Sequence, residues 1–264
     1  MIRIGVLTLL LAAPAWAAPR IVSINPCVDA VLMQVADPAQ IAGISHYSQD
    51  PRATSIPIAE AMRFKATSGT AEEVVALAPD MVIAGAHVAP STIAALKRMG
   101  IHLVQLPVPE SIAESNAQIV TIAAFAGHHD RGVALVARIE AAVRNARSTG
   151  LAIPALIWQG GGLVPGSGTL ADELLRVSGF HNLSADYGLK KWDVLPLEYL
   201  VARPPRVLFS VGSEDHSDRM LGHPVMQPLA RQIAVRAYPE RLLHCGGPTV
   251  IDAVARLSAV RKSL

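Results

Sequence analysis

The chain has 264 residues, a formal net charge of +2, 51% apolar residues and only 4% aromatic ones. So small a charge excess gives no electrostatic case for binding nucleic acid or an anionic membrane. The length suits one large α/β domain or two lobes, each able to bury its own core.

Met1 to Ala18 reads as an export leader. One cation, Arg3, precedes an apolar run from Ile4 to Ala13, and Ala15-Trp16-Ala17 ahead of Ala18 has the small-x-small spacing of a signal-peptidase site. The run is too short to span a bilayer and is interrupted by Pro14. Cleavage there leaves ~246 residues, soluble and beyond the inner membrane.

From residue 20 to residue 107 strands and helices alternate. Strands are predicted at Arg20–Ile24, Ile41–Ser45, Met81–Ala84 and Ile101–Leu106, with helices at Cys27–Ala36 and Pro90–Met99. Thr70-Ala-Glu-Glu73 has capping-box spacing and opens a helix to Leu77; Ser111-Ile-Ala-Glu114 opens another to Phe125, broken by Gly127. Asp130 to Arg147 then carries apolar residues at Val133, Val136, Ile139, Ala142 and Val143, the spacing of an amphipathic helix about 27 Å long. Beyond it come a strand at Ala155–Trp158, helices at Thr169–Val177 and Pro196–Ala202, strands at Val207–Val211 and Leu242–Cys245, and a terminal helix from Val250. The expected organisation is therefore an N-terminal lobe over 20–112, connecting helices over 113–150 with the interlobe helix at 130–147, and a C-terminal lobe over 151–264. A single doubly wound domain with the long helix packed on its sheet is the competing arrangement.

Four segments carry a family resemblance: Arg20-Ile-Val-Ser-Ile-Asn-Pro, Ile41-Ala-Gly-Ile-Ser-His-Tyr-Ser, Glu73-Val-Val-Ala-Leu-Ala-Pro-Asp-Met-Val-Ile and Leu195-Pro-Leu-Glu-Tyr-Leu-Val-Ala-Arg-Pro-Pro-Arg-Val-Leu. In this order they resemble the periplasmic cobalamin and ferric-siderophore receptors of ABC importers, the helical-backbone metal-receptor group. The resemblance implies a class III periplasmic binding protein: two Rossmann-like α/β lobes joined by one long α-helix and working as a monomer. It also implies a corrinoid or ferric chelate bound between the lobes, no resident cofactor, and delivery to a permease and ATPase complex in the inner membrane. Glu72 and Glu198 match the glutamates with which the cobalamin receptors dock to permease arginines. Each also sits in the first turn of a predicted helix, where the macrodipole stabilises an acid for its own reasons.

Open α/β sheets bind ligands at loops beyond the carboxyl ends of their strands. Those loops should hold Asn25, Tyr47, Arg63, Phe64 and His87 in the first lobe, and Trp158, Lys190, Trp192, Ser213 to His216 and His244 in the second. Tyr47, Trp158 and Trp192 are the aromatic faces suited to a wide flat chelate, with lobe core the competing place for Trp158. Arg63, Lys65, Lys190 and Lys191 facing each other would suit an anionic ligand. The resemblance places the haem receptors' axial tyrosine in the segment that here reads Met62-Arg-Phe-Lys65, which contains none, so a corrinoid is the expected ligand and a ferric-siderophore or haem receptor of the same group the alternative. The histidines lack the short spacing of a metal site, so no bare metal ion is expected. Cys27 and Cys245 fall in different lobes; two free thiols are expected, because a bridge would clamp the cleft and needs Cα atoms within about 7 Å. Gly166-Ser-Gly-Thr-Leu-Ala171 fits a loose nucleotide fingerprint, but it is displaced from the strand before it, and no Walker or nucleophile-elbow motif accompanies it. An exported enzyme is the alternative from a different class.

Overall fold

A computed structural model describes residues 18–211, 223–224, 228–229 and 232–264. Residues 1–17 of the leader and the Ser213 to His216 loop lie outside the described residues. The first sheet contains β1 (Ile21–Ser23), β2 (Ile41–Ser45), β3 (Ala66–Thr67), β4 (Met81–Gly85) and β5 (His102–Leu106), all parallel, in the order β3-β2-β1-β4-β5. Around it lie α1 (Pro26–Val35), α2 (Ile58–Ala61), α3 (Ala71–Ala76) and α4 (Pro90–Arg98). The strands alternate faces with period two: Ile21 and Ile83 enter the inner core, while Val22 and Val82 meet Ala71, Val74 and Leu96 on the outer one.

Two helices follow, α5 (Ile112–Phe125) and α6 (His129–Ala146), packed closely together. A Cβ on Gly132 would come within 2.5 Å of the Ala123 methyl, so the absent side chain is what lets the two backbones approach. Both sequence-predicted capping boxes form by half. Thr70 and Ser111 accept the amides of Glu73 and Glu114, but Glu73 turns to Ser68 and Thr67, and Glu114 to the Glu110 amide.

The second lobe begins with β6 (Ile153–Trp158) and β7 (Leu163–Pro165). After α7 (Leu170–Val177) come β8 (Phe180–Asn182), α8 (Leu183–Asp186), β9 (Trp192–Val194), α9 (Leu197–Ala202), β10 (Val207–Val211), β11 (Ala234–Tyr238) and α10 (Thr249–Lys262). Its sheet is parallel in the order β11-β10-β6-β8, and β7 and β9 form a separate antiparallel pair. The strand expected at Leu242–Cys245 is not one. Leu242, Leu243 and Cys245 are buried and His244 is exposed, but the segment forms a 3-10 turn and loop, and the strand is Ala234–Tyr238, which shows the alternating exposure of an edge strand.

The lobes share their inner core. Ile139 and Leu135 of α6, Ile119 and Ile122 of α5, Val31 of α1 and Val250 and Leu257 of α10 are buried in one cluster that continues into both sheets. Because α1 and α10 both pack on α6, the residue in the first turn of α1 and the loop leading into α10 meet at the floor of the cleft. Cys27 and Cys245 are therefore disulfide-bonded, with Cα atoms 5.1 Å apart, not two free thiols. The expectation failed because it placed the cysteines on opposing walls, whereas they stand at the two helix starts that the shared core brings together. A bridge at the floor leaves the mouth above it open.

Candidate functional site

The strand order of the first sheet reverses between β1 and β4, and beyond their carboxyl ends lies a hollow of about 230 Å³. Asn25 after β1, Gly85 to His87 after β4, Pro107 to Pro109 after β5, Ser115 of α5 and His244 to Gly247 of the second lobe line it, with the disulfide in its wall. The lobes are sewn together beside it. Ser115 Oγ accepts the Gly247 amide at 2.7 Å, Glu173 of α7 accepts the Ile112 amide at 2.7 Å, and Lys191 forms an ion pair with Glu110.

Asn25 lines the hollow, but its side-chain oxygen accepts the amides of Cys27 at 2.9 Å and Val28 at 3.2 Å, so that oxygen serves as the N-cap of α1. Tyr47 follows β2 on a 3-10 turn, 52% exposed and tilted against His46 at 4.1 Å between ring centroids. His46 is held in turn by Thr67, whose carbonyl lies 3.2 Å from Nδ1.

Arg63, Phe64 and Lys65 are elsewhere. They share a surface hollow with Arg20, Pro38, Ile41, Leu77 and Ala78, at the amino ends of β1 and β2, and Phe64 packs against the core. The chain descends from the Tyr47 turn through α2 before rising again as β3, so this segment sits at the foot of the sheet, and the cleft contacts expected of Arg63 and Phe64 are corrected.

Trp158 is also corrected. It is fully buried among Leu156, Val164, Leu183, Leu195 and Leu200 on the outer face of the second sheet. The two-residue period explains it: Ala155 and Ile157 face the inner core, so Leu156 and Trp158 must face the other way.

Trp192 stands on β9, 38% exposed, with its ring 6.4 Å from that of His244. His244 is exposed and lies 3.6 Å from Glu240 and 3.5 Å from Gln159 Nε2, forming a polar rim beyond the carboxyl end of β6. Lys190 is exposed, while Lys191, at φ 59°, is engaged by Glu110. With Arg63 and Lys65 at the foot of the sheet, the basic rim expected from sequence reduces to Lys190 and the paired Lys191. Glu72 and Glu198 are exposed in the first turns of α3 and α9. Their neighbour Glu73 differs: the Ser68 amide and hydroxyl and the Thr67 hydroxyl hold its carboxyl below the usual range. Among the described residues no group of three His, Cys, Asp or Glu side chains converges to hold a metal ion, and no helix is long and apolar enough to cross a membrane.

Sequence reasoning missed the Glu110–Lys191 pair and the buried Asp29 beneath the Tyr47 turn. The first carries no sequence signal, since its partners lie in different lobes. The second had one, an acid at an apolar helix position with Val28, Val31 and Leu32 around it.

A family model described as "Periplasmic binding protein" matches residues 21–237. A curated cobalamin-binding protein of Halobacterium salinarum is 26% identical over 210 residues, covering 75% of this chain and 55% of the relative. The chain thus spans about half the length of the curated relatives it matches. Among solved structures, the periplasmic heme-binding protein RhuT from Roseiflexus sp. RS-1 superposes with a TM-score of 0.73 at 24% identity, over 92% of this chain and 97% of that one. The periplasmic vitamin B12 binding protein BtuF of Vibrio cholerae gives 0.72 at 18% identity, over 93% and 97%. At such identities the likeness speaks to the fold, a class III arrangement of two Rossmann-like lobes. The family match covers most of the same span, and this chain belongs to the periplasmic binding protein family, whose members bind a substrate and do not transform it.

Proposed function

We propose that this protein is the solute receptor of an ABC importer and that it captures a flat metal chelate, a corrinoid before all others, between its lobes. The observation that carries the reading is two exposed aromatic side chains, Tyr47 at the carboxyl end of β2 and Trp192 on β9, the latter with its ring 6.4 Å from that of His244 in the wall of the hollow, in a chain otherwise poor in aromatic residues. Rigid aromatic faces hold a disc-shaped ligand at low entropic cost. The curated cobalamin-binding relative supports the corrinoid choice. So does the charge of the described residues: with Lys191 neutralised by Glu110, the basic residues expected at the cleft reduce to Lys190, which weakens the case for an anionic siderophore or haem. In this reading the leader is cleaved near Ala18, and Glu72 and Glu198 meet basic sockets on the permease.

The test is intrinsic tryptophan fluorescence of the mature chain titrated with cyanocobalamin, cobinamide, haemin and a ferric hydroxamate. Trp158 is buried and Trp192 half-exposed, so a bound corrinoid should quench Trp192 first, and Trp192→Phe should remove most of that response. Saturable binding of haemin or the hydroxamate with no corrinoid response would move the assignment to that ligand; no binding of any of the four would end it.

A further inference from the structure

The turn that carries Tyr47 hangs from a carboxylate that water does not reach. Asp29, in the first turn of α1, is fully buried. Its Oδ2 accepts the Ser45 amide at 2.9 Å and the Ser48 hydroxyl at 2.6 Å, so its two bonds bracket Tyr47 on either side. Oδ1 has no hydrogen-bond partner, the adjacent Ser23 hydroxyl being turned to the Asn25 carbonyl at 3.0 Å. An unpaired buried anion is costly unless well solvated by donors, and burial pushes this carboxyl up to about 7 against the opposing pull of the Ser48 hydroxyl and the Ser45 amide.

Among the described residues no charge compensates it. Of the elements packed against α1, strands β1, β2 and β4 carry no ionisable side chain. On the Tyr47 turn, His46 is directed at the Thr67 carbonyl. Glu114 of α5 accepts the Glu110 amide. On α6, Arg131 and Arg138 reach Asp37 and Gln34, while His129 pairs with Asp130 and Arg144 with Glu140.

We propose that Asp29 is the positioning residue of the aromatic shelf: as a carboxylate it holds the Ser45–Ser48 turn with Tyr47 toward the cleft, and on protonation it loosens that turn and weakens chelate capture. The second half rests on the reading of Tyr47 as a ligand contact. The first does not, because it concerns the protein without ligand.

Two measurements separate them. In the ligand-free protein, the Ser45 amide resonance followed by NMR from pH 5.5 to 8.5 should titrate with a midpoint near 7, and Asp29→Asn should abolish that titration. Cyanocobalamin should bind about tenfold more weakly at pH 6 than at pH 8, since only the ionised fraction is competent, and Asp29→Asn should bind it independently of pH. Ser48→Ala removes one bond and leaves the carboxyl in place; it should shift Ser45 and weaken binding by a smaller factor, and serves where Asp29→Asn folds poorly. A Ser45 amide that does not titrate, or titrates alike in Asp29→Asn, overturns the positioning role. If Ser45 titrates as expected while Tyr47→Ala leaves cyanocobalamin binding intact, the positioning role stands and the ligand contact falls.

Discussion

The first lobe presents Tyr47 from a turn fixed by buried hydrogen bonds at the end of β2, inside its parallel sheet, whereas the second presents Trp192 from a two-stranded antiparallel pair outside its main sheet. The second platform is held chiefly by backbone. Gly166 donates to the Lys191 carbonyl, and a Cβ there would meet the Leu189 and Lys191 carbonyls at 2.6 Å, so the Trp192 strand lies against a glycine because nothing larger fits. A small sheet of two short strands has little cooperativity of its own. The contrast gives Tyr47 a buried side-chain anchor and Trp192 a backbone one.

The largest expected effect separates the two tryptophans of that second lobe. Trp158 fills its outer core, and Trp158→Ala should cost about 3–5 kcal/mol of stability. Trp192→Ala, on the exposed strand, should leave the melting transition nearly unchanged while costing roughly 1–3 kcal/mol of chelate binding. Chemical denaturation and ligand titration on both variants check this, and equal stability losses would erase the distinction between core and platform.

Next in size is the tie between the walls. Cys27 and Cys245 are 218 residues apart and join the starts of α1 and α10, so Cys27→Ser with Cys245→Ser should cost about 2–4 kcal/mol by freeing the unfolded chain. The same variant tests motion. A continuous helix such as α6 bends only by breaking consecutive hydrogen bonds, and with the clip at the cleft floor the lobes should rotate little on binding. Small-angle scattering should show almost no compaction in the native protein and slightly more in the double serine variant.

How much of this was legible in the sequence follows from what local pattern encodes. The α/β alternation, the long helix with its stripe through Ile139 and Val143, and the N-caps Thr70 and Ser111 rest on neighbours a few residues apart, and a single chain displays them. The short strands β3, β7, β8 and β9 have two or three residues each, too few for a period. The disulfide and the Glu110–Lys191 pair depend on where α6 brings distant segments, which no local pattern contains. Trp158 was misplaced although its own strand held the answer, in the alternation of Ala155 and Ile157 with Leu156.

Acidity sharpens the comparison from the first lobe's side. The Asp29 carboxyl is raised to about 7 in the fold, against about 3.9 in an unfolded chain, so between those values the native state binds the extra proton and stability falls as pH rises. Glu73 and Asp37 act oppositely, because Ser68 holds the first low and Arg131 the second; their contribution is present above about pH 4 and lost in more acid solution. Melting temperature should therefore decline from pH 5 to pH 8, and Asp29→Asn should flatten that decline while leaving the acid limb in place. An unchanged slope would mean that the carboxyl is not buried in solution as it is here.

The smallest effect on the folded protein belongs to the acids at the tops of α3 and α9. Glu72 and Glu198 are exposed, and the macrodipole and surface pairing of such groups are worth well under about 1 kcal/mol each, so reversing either to Lys should move the melting temperature barely at all. Chelate affinity should stay constant too, since neither acid is among the contacts proposed for the chelate. Exposed charges govern encounter and register far more than stability, and if these two are docking posts, one for each half of a permease, uptake into reconstituted vesicles should fall with either reversal and vanish with both. Full uptake by the doubly reversed protein would leave both as acids that do no more than favour the start of a helix.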